Sequence, residues 1–175
     1  EIAAAFARSV AAVVPTTSRY PVPTVTKVPK RDQGQTRSQL LLETLTELGF
    51  DFREKHKIPS ILWRGSESMV RGFLRALFTA DGAVLTASKS RFSIRLTSTN
   101  LRFLKDVQIL LANFGIHSRI YENRRPEGAK LVPDGHGGTE LGGTQPAHEL
   151  VIGKESLVRF CREIDFHPNS SKQKK

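Results

Sequence analysis

Leu74-Arg75-Ala76-Leu77-Phe78-Thr79-Ala80-Asp81-Gly82 ends an apolar helical run on a carboxylate followed by glycine. The macrodipole and the last free carbonyls make a helix C-terminus locally negative, so an Asp there is mildly destabilising unless a cation sits beside it. A divalent metal fits that place. Upstream, the periodicity predicts a helix over Glu67–Ala80, with Met69, Val70, Phe73, Leu74, Leu77 and Phe78 as a broad apolar face. Gly72, Ala76 and Ala80 recur at intervals of four and form a second stripe. Its small side chains let another helix approach backbone to backbone.

Downstream of the quoted stretch, Ala83–Ser88 and Arg91–Thr97 read as two strands of a hairpin turning around Lys89 and Ser90. The second alternates, with Phe92, Ile94 and Leu96 on a packing face and Arg91, Ser93, Arg95 and Thr97 on the other. Leu101–Phe114 is an amphipathic helix stopped by Gly115. His117–Arg125 is a third strand, with Arg119, Tyr121 and Asn123 sharing one face. Pro126–Pro146 is glycine-rich without apolar periodicity and reads as a long, mobile hairpin loop. His148–Gly153 is a fourth strand. Glu155–Ile164 is a final helix with Leu157, Val158, Phe160, Cys161 and Ile164 inward.

Upstream, Glu1–Val14 reads as an Ala-rich helix ended by Pro15-Thr16-Thr17-Ser18. Pro21, Pro23 and Pro29 make Tyr20–Val28 an edge strand or extended arm. Leu40, Leu41, Leu45 and Leu48 recur at helical spacing before the stop at Gly49, and Pro59 opens a short turn of helix through Leu62 and Trp63.

Lys and Arg outnumber Asp and Glu 27 to 17 in 175 residues, a formal charge of +10. Such a balance points to a polyanionic partner, nucleic acid first. The lone Cys161 excludes an internal disulfide and a cysteine-based zinc site, is expected in the core, and suits a reducing, cytoplasmic setting. The five histidines show no paired ligand spacing. Ile2–Val14 is cut by Arg8 and too short to span a bilayer, so no membrane partner is expected.

The order helix, two strands, helix, two strands, helix, with Leu74–Gly82 closing its first helix, resembles the LAGLIDADG homing endonuclease domain. Leu74, Leu77, Ala80, Asp81 and Gly82 match the family motif directly. Ala76 replaces its small glycine, and Arg75 and Thr79 depart from it, Thr79 standing at the motif's first acid. Leu48-Gly49-Phe50, Lys57-Ile58-Pro59, Phe114-Gly115-Ile116 and Ile164-Asp165-Phe166 with Lys172 and Gln173 extend the similarity to the second half of an intein-borne endonuclease, as in ribonucleotide reductase inteins. No splicing nucleophile begins the chain and no His-Asn pair ends it.

The resemblance implies an α+β fold, αββαββα, with an antiparallel DNA-binding sheet. Residues 56–175 form this subdomain, and residues 1–55 a partial first copy with its connector. It implies a site-specific double-stranded DNA endonuclease of the homing type, using Mg²⁺ or another divalent metal anchored on Asp81. Lys172 is the expected catalytic lysine and Lys57 a second candidate. The family works with two motifs, so a second one is expected from a missing N-terminal half or a homodimer partner. Fragment, degenerate remnant and dimerising subunit all stay open. The same fold without cleavage, as a nucleic-acid-binding module or RNA maturase, is the alternative.

A twisted antiparallel ribbon can enter the major groove. Arg91, Ser93, Arg95, Arg119, Tyr121 and Asn123 are the expected groove-facing residues. Arg124, Arg125 and Lys130 are expected on phosphates, where they position without specifying.

Overall fold

A computed structural model of the chain describes residues 8–9, 12, 26–27, 34–35, 37–51, 53–54, 56–88, 91–133, 138–168 and 170–172. The helix expected over residues 1–14 lies almost wholly outside the described residues, as does the turn at Lys89 and Ser90. The chain divides into two compact units, Glu1–Arg64 and Gly65–Lys175.

In the first unit, β1 (Thr26–Lys27) pairs antiparallel with β2 (Gly34–Gln35). Helix α1 (Gln39–Glu47) starts where Ser38 Oγ accepts the Leu41 N–H at 3.1 Å. That bond satisfies one of the donors every helix start leaves free. Gly49, at φ +84°, takes the left-handed turn that stops it. Helix α2 (Ser60–Arg64) follows Pro59 and buries Leu62.

The second unit runs α3 (Glu67–Asp81), β3 (Ala83–Ser88), β4 (Arg91–Ser98), α4 (Leu101–Ala112), β5 (Ser118–Arg125), β6 (Gly128–Pro133), β7 (Thr139–Thr144), β8 (Ala147–Gly153) and α5 (Glu155–Glu163). One sheet has the order β3-β4-β8-β5 with every neighbour antiparallel. Alternation on its central strands sends Ile94, Leu96, Leu150 and Ile152 into the core, where each is almost fully buried. Val70, Leu74 and Phe78 of α3, and Leu104, Val107 and Leu111 of α4, are buried with them. Each such side chain contributes roughly 1.5–3 kcal/mol over leaving it in water. Phe160 of α5 meets Phe78 edge-on at 5.0 Å, a favourable arrangement for two ring quadrupoles. Gly115 closes the α4 turn at φ +65°.

Two expectations change. Residues 126–146 are no structureless loop, because β6 and β7 pair continuously from Gly128↔Thr144 to Pro133↔Thr139. Among the described residues this two-stranded ribbon pairs with no other strand, and Leu141 is 75% exposed, so β7 shows no apolar alternation against the core.

Helix α5 buries a narrower stripe than its composition suggests. Phe160, with Ile164 just past the helix end, is fully buried, whereas Val158 is 75% exposed and Cys161 is at the surface rather than in the core. Between α5 and the β3–β4 hairpin lies a groove of about 520 Å³, lined by Val84, Phe92, Leu157 and Cys161 among others. Phe92, expected to pack with Ile94 and Leu96, borders this groove and stays 43% exposed.

Candidate functional site

Helix α3 begins at Ser66, whose Oγ accepts the Met69 N–H at 3.3 Å, and carries Glu67 in its first turn. It ends at the exposed Asp81. Gly82 then turns the chain directly into β3, its N–H donating to Phe78 O at 3.0 Å. A Cβ on Gly82 would stand 2.5 Å from that same oxygen, so only glycine makes this exit.

The cation that electrostatics requires at this end is supplied by the chain itself. Lys172 Nζ donates to the carbonyls of Phe78 (3.3 Å), Thr79 (2.5 Å) and Ala80 (3.0 Å). Burial pushes the Lys172 ammonium below its ordinary pKa, while the charge of Asp81 pulls it back up. Asp81 and Lys172, chosen separately from the sequence, thus meet at one helix end. Lys57 belongs to the first unit, where it pairs with Glu54 at 2.9 Å, and the hydrogen bond and charge of Glu54 hold its ammonium above the usual range.

The two departures from the motif have structural work on the same helix. Arg75 Nε donates to Ile164 O at 2.7 Å, and Thr79 Oγ1 accepts the His167 N–H at 2.9 Å. One turn earlier, Arg71 bonds both the carbonyl and the carboxylate of Glu163, the latter at 3.0 Å. Arginines there meet the carbonyls at the end of α5 and offset its dipole. Along α3, then, Arg71, Arg75, Thr79 and the terminal carbonyls hold successive parts of the segment from Glu163 to Lys172.

The opposite side of α3 is bare. Gly72, Ala76 and Ala80 are exposed, Met69 is 41% exposed, and a Cβ on Gly72 would touch nothing.

The sheet face away from the core carries the polar side chains of β4, β8 and β5. Arg95 Nη1 donates to Glu149 Oε2 at 3.1 Å and its Nε to Ser93 Oγ at 3.2 Å. Arg124 Nε lies 3.3 Å from the same Glu149 oxygen. Tyr121 is directly opposite Glu149 in the strand register, and its ring is flanked by the guanidiniums of Arg119 at 5.2 Å and Arg124 at 4.8 Å. Asn123 stands at φ +50° and donates its N–H to His148 Nδ1 at 3.1 Å, inside a register shift between Tyr121 and Arg125. That irregularity breaks the strict alternation and brings Arg124 to the Tyr121 side.

Arg125 is exposed at the end of β5. Arg91 and Lys130 lie on β4 and β6, with side chains outside the described residues. Glu149, only 4% exposed, is the residue that the sequence reading missed.

Among the described residues no three His, Cys, Asp or Glu side chains converge on one point. The donor set at the α3 end is one exposed carboxylate, a hard oxygen ligand that fits part of a Mg²⁺-type shell. Among the described residues, no helix is long and apolar enough to cross a membrane.

An αββαββα domain, with the β6–β7 ribbon inserted between β5 and β8, helices on one face of its antiparallel sheet, arginines on the other and a helix ending Asp-Gly, defines a class of α+β proteins. The chain belongs to the LAGLIDADG-like domain family, whose profile matches residues 68–165. It is 31% identical over 137 residues to ribonucleoside-diphosphate reductase NrdEB subunit alpha of Bacillus subtilis, covering 78% of this chain and 12% of that protein. It is 30% identical over 140 residues to a DNA polymerase of Thermococcus litoralis, covering 79% of this chain and 8% of that one. The chain thus spans about a tenth of the length of these relatives. Among solved structures, variants of the homing endonuclease I-DmoI align over 82% of this chain and 62% of theirs, at a TM-score of 0.46 and 17% identity. I-DmoI in complex with DNA and Mn gives a TM-score of 0.44.

Proposed function

We propose that this chain is the DNA-recognising and metal-binding half of a site-specific double-strand endonuclease of the homing type. The observation that carries the reading is the meeting of Asp81 and Lys172 at the exposed end of α3, in a domain whose open sheet face is rich in arginine. Similarity to a short stretch of both a reductase subunit and a DNA polymerase supports it further. Two hosts of unrelated chemistry sharing this stretch suit an insert with an activity of its own, as in an intein.

Cleaving a phosphodiester needs an activated water, charge stabilisation at phosphorus and relief of the leaving 3′ oxygen. A divalent cation, when bound, supplies Lewis acidity and a lowered pKa for its water. Asp81 would anchor that ion, and Lys172, held on the carbonyls of Phe78, Thr79 and Ala80 just before it, would offer positive charge to the scissile phosphate. The sheet orients the duplex through Ser93, Arg95, Arg119, Tyr121, Asn123 and Arg124, with Arg91, Arg125 and Lys130 beside them. Lys57 remains a second lysine candidate of this reading.

A single carboxylate is half a site. The bare stripe Gly72, Ala76 and Ala80 favours a second α3-like helix packed closely on it, from a companion half or a second copy of this chain. Residues 1–55 are then the closing part of the companion half and its connector.

The test incubates the chain with a library of duplex sites and Mg²⁺ or Mn²⁺, beside Asp81→Asn. Metal-dependent cleavage by the wild type, lost in the variant while binding persists, supports the endonuclease. Equal binding by both without cleavage supports a non-cleaving nucleic-acid module or RNA maturase, a reading favoured by the engagement of Lys172 with all three carbonyls. No duplex binding at low salt overturns both.

A further inference from the structure

Glu149 is a buried carboxylate in the middle of a face otherwise suited to a polyanion. It is 4% exposed, while the side chains of Arg95 and Arg124 that converge on it are 26% and 45% exposed. One oxygen, Oε2, serves both guanidiniums, so the pair and the carboxylate together carry one net positive charge rather than two. Arg95 is further fixed by Ser93, and Arg124 by the Tyr121 ring.

A free surface arginine has several rotatable bonds and seeks phosphate as a mobile charge. One clamped through part of its fork has fewer conformations to lose and still points its remaining N–H donors outward. Such a guanidinium suits a bidentate contact to a guanine edge, a contact that depends on direction. Burying a carboxylate here without partners would be costly, and the two arginines remove that cost.

Resting on the DNA-binding reading above, we infer that Glu149 is a positioning residue for sequence discrimination. It holds Arg95 of β4 and Arg124 of β5 as a preorganised pair and holds down their non-specific attraction to phosphate. The ligand class is duplex DNA bearing purine acceptors opposite the two fixed guanidiniums.

The test compares the full chain with Glu149→Gln, which keeps the shape and loses one negative charge. Binding to a random-sequence duplex is measured against salt, and sequence preference by selection from a randomised duplex pool. The proposal expects Glu149→Gln to bind the random duplex about tenfold more tightly at low salt, with a salt slope steeper by about 0.9, one added phosphate contact. It expects the selected preference to flatten at the positions that Arg95→Gln and Arg124→Gln also flatten.

Arg95→Lys, which keeps the charge and lacks the planar fork that bonds Ser93 through Nε and Glu149 through Nη1, is expected to lose preference with an unchanged salt slope. This second variant carries the test should Glu149→Gln fail to fold. Unchanged slope and preference in a folded Glu149→Gln, or unchanged preference in Arg95→Lys, overturns the inference while leaving DNA binding standing. A preference lost at positions independent of both arginines also overturns it, since Glu149 would then be reading a base itself. Failure of the wild type to bind any duplex overturns the DNA reading and this inference with it.

Discussion

Lys172 Nζ donates to the carbonyl oxygen of Thr79 at 2.5 Å, joining the end of the described chain to the end of the motif helix. With Ala80 O it satisfies carbonyls that a helix C-terminus otherwise leaves to solvent, and it adds a second donor at Phe78 O, which already accepts the Gly82 N–H. Lys172→Met keeps the aliphatic stem and removes the donors. It is expected to destabilise the second unit by about 1 kcal/mol, a value reduced for the partial exposure of the ammonium. Urea unfolding at neutral pH measures it.

Arg75→Ala restores the residue that the family motif carries, yet it is expected to weaken this protein. The buried Ile164 carbonyl loses its 2.7 Å partner and α5 loses a cation at its negative end. The expected cost is about 1–2 kcal/mol in unfolding free energy. A variant as stable as wild type would contradict the assignment of Arg75 to the α5 end.

Gly82→Ala tests the exit from α3. The added methyl would lie 2.5 Å from Phe78 O, and that oxygen is backbone, fixed by its own hydrogen bonds. A loss of about 1–3 kcal/mol is expected, with thermal unfolding as the readout. The φ of −69° at Gly82 is ordinary, so the penalty comes from crowding and not from handedness.

The Arg71–Glu163 contact sets an acid dependence. Hydrogen bonds from Arg71 and then Arg162 hold the Glu163 carboxyl below its ordinary value of 4.5. A depressed carboxyl favours the folded state above the unfolded pKa and gives that advantage up as pH falls through the folded one. The stability gap between wild type and Glu163→Gln is therefore expected to be constant at neutral pH and to close below 4.5. Chemical unfolding across a pH series checks the sign.

Much of this fold is legible because α3, α4 and the central strands each face the core along one stripe. Leu74 and Phe78 at helical spacing, and Ile94 and Leu96 at strand spacing, are buried as their periods require. Gly49 and Gly115 stop helices through positive φ, which few other residues tolerate. The β6–β7 ribbon and the outer side of α5 were not legible, since neither packs a continuous apolar face.

The motif and the flanking blocks single out Asp81 and Lys172 as expected site residues. What each departure does was not visible there. Arg75 and Thr79 act on partners 89 and 88 residues away, a separation that no local pattern encodes. Glu149 was hidden for a related reason: its role is defined by arginines on two other strands.

Positions on the outer sheet face differ in what mutation can change. Arg119 is exposed, so its replacement alters the surface without opening the core, and such a position can drift on its own. Glu149 does not allow that freedom, because it ties β4 to β5 through a single oxygen. A change there revises two contacts at once, so the guanidiniums of Arg95 and Arg124 are re-set together and never singly.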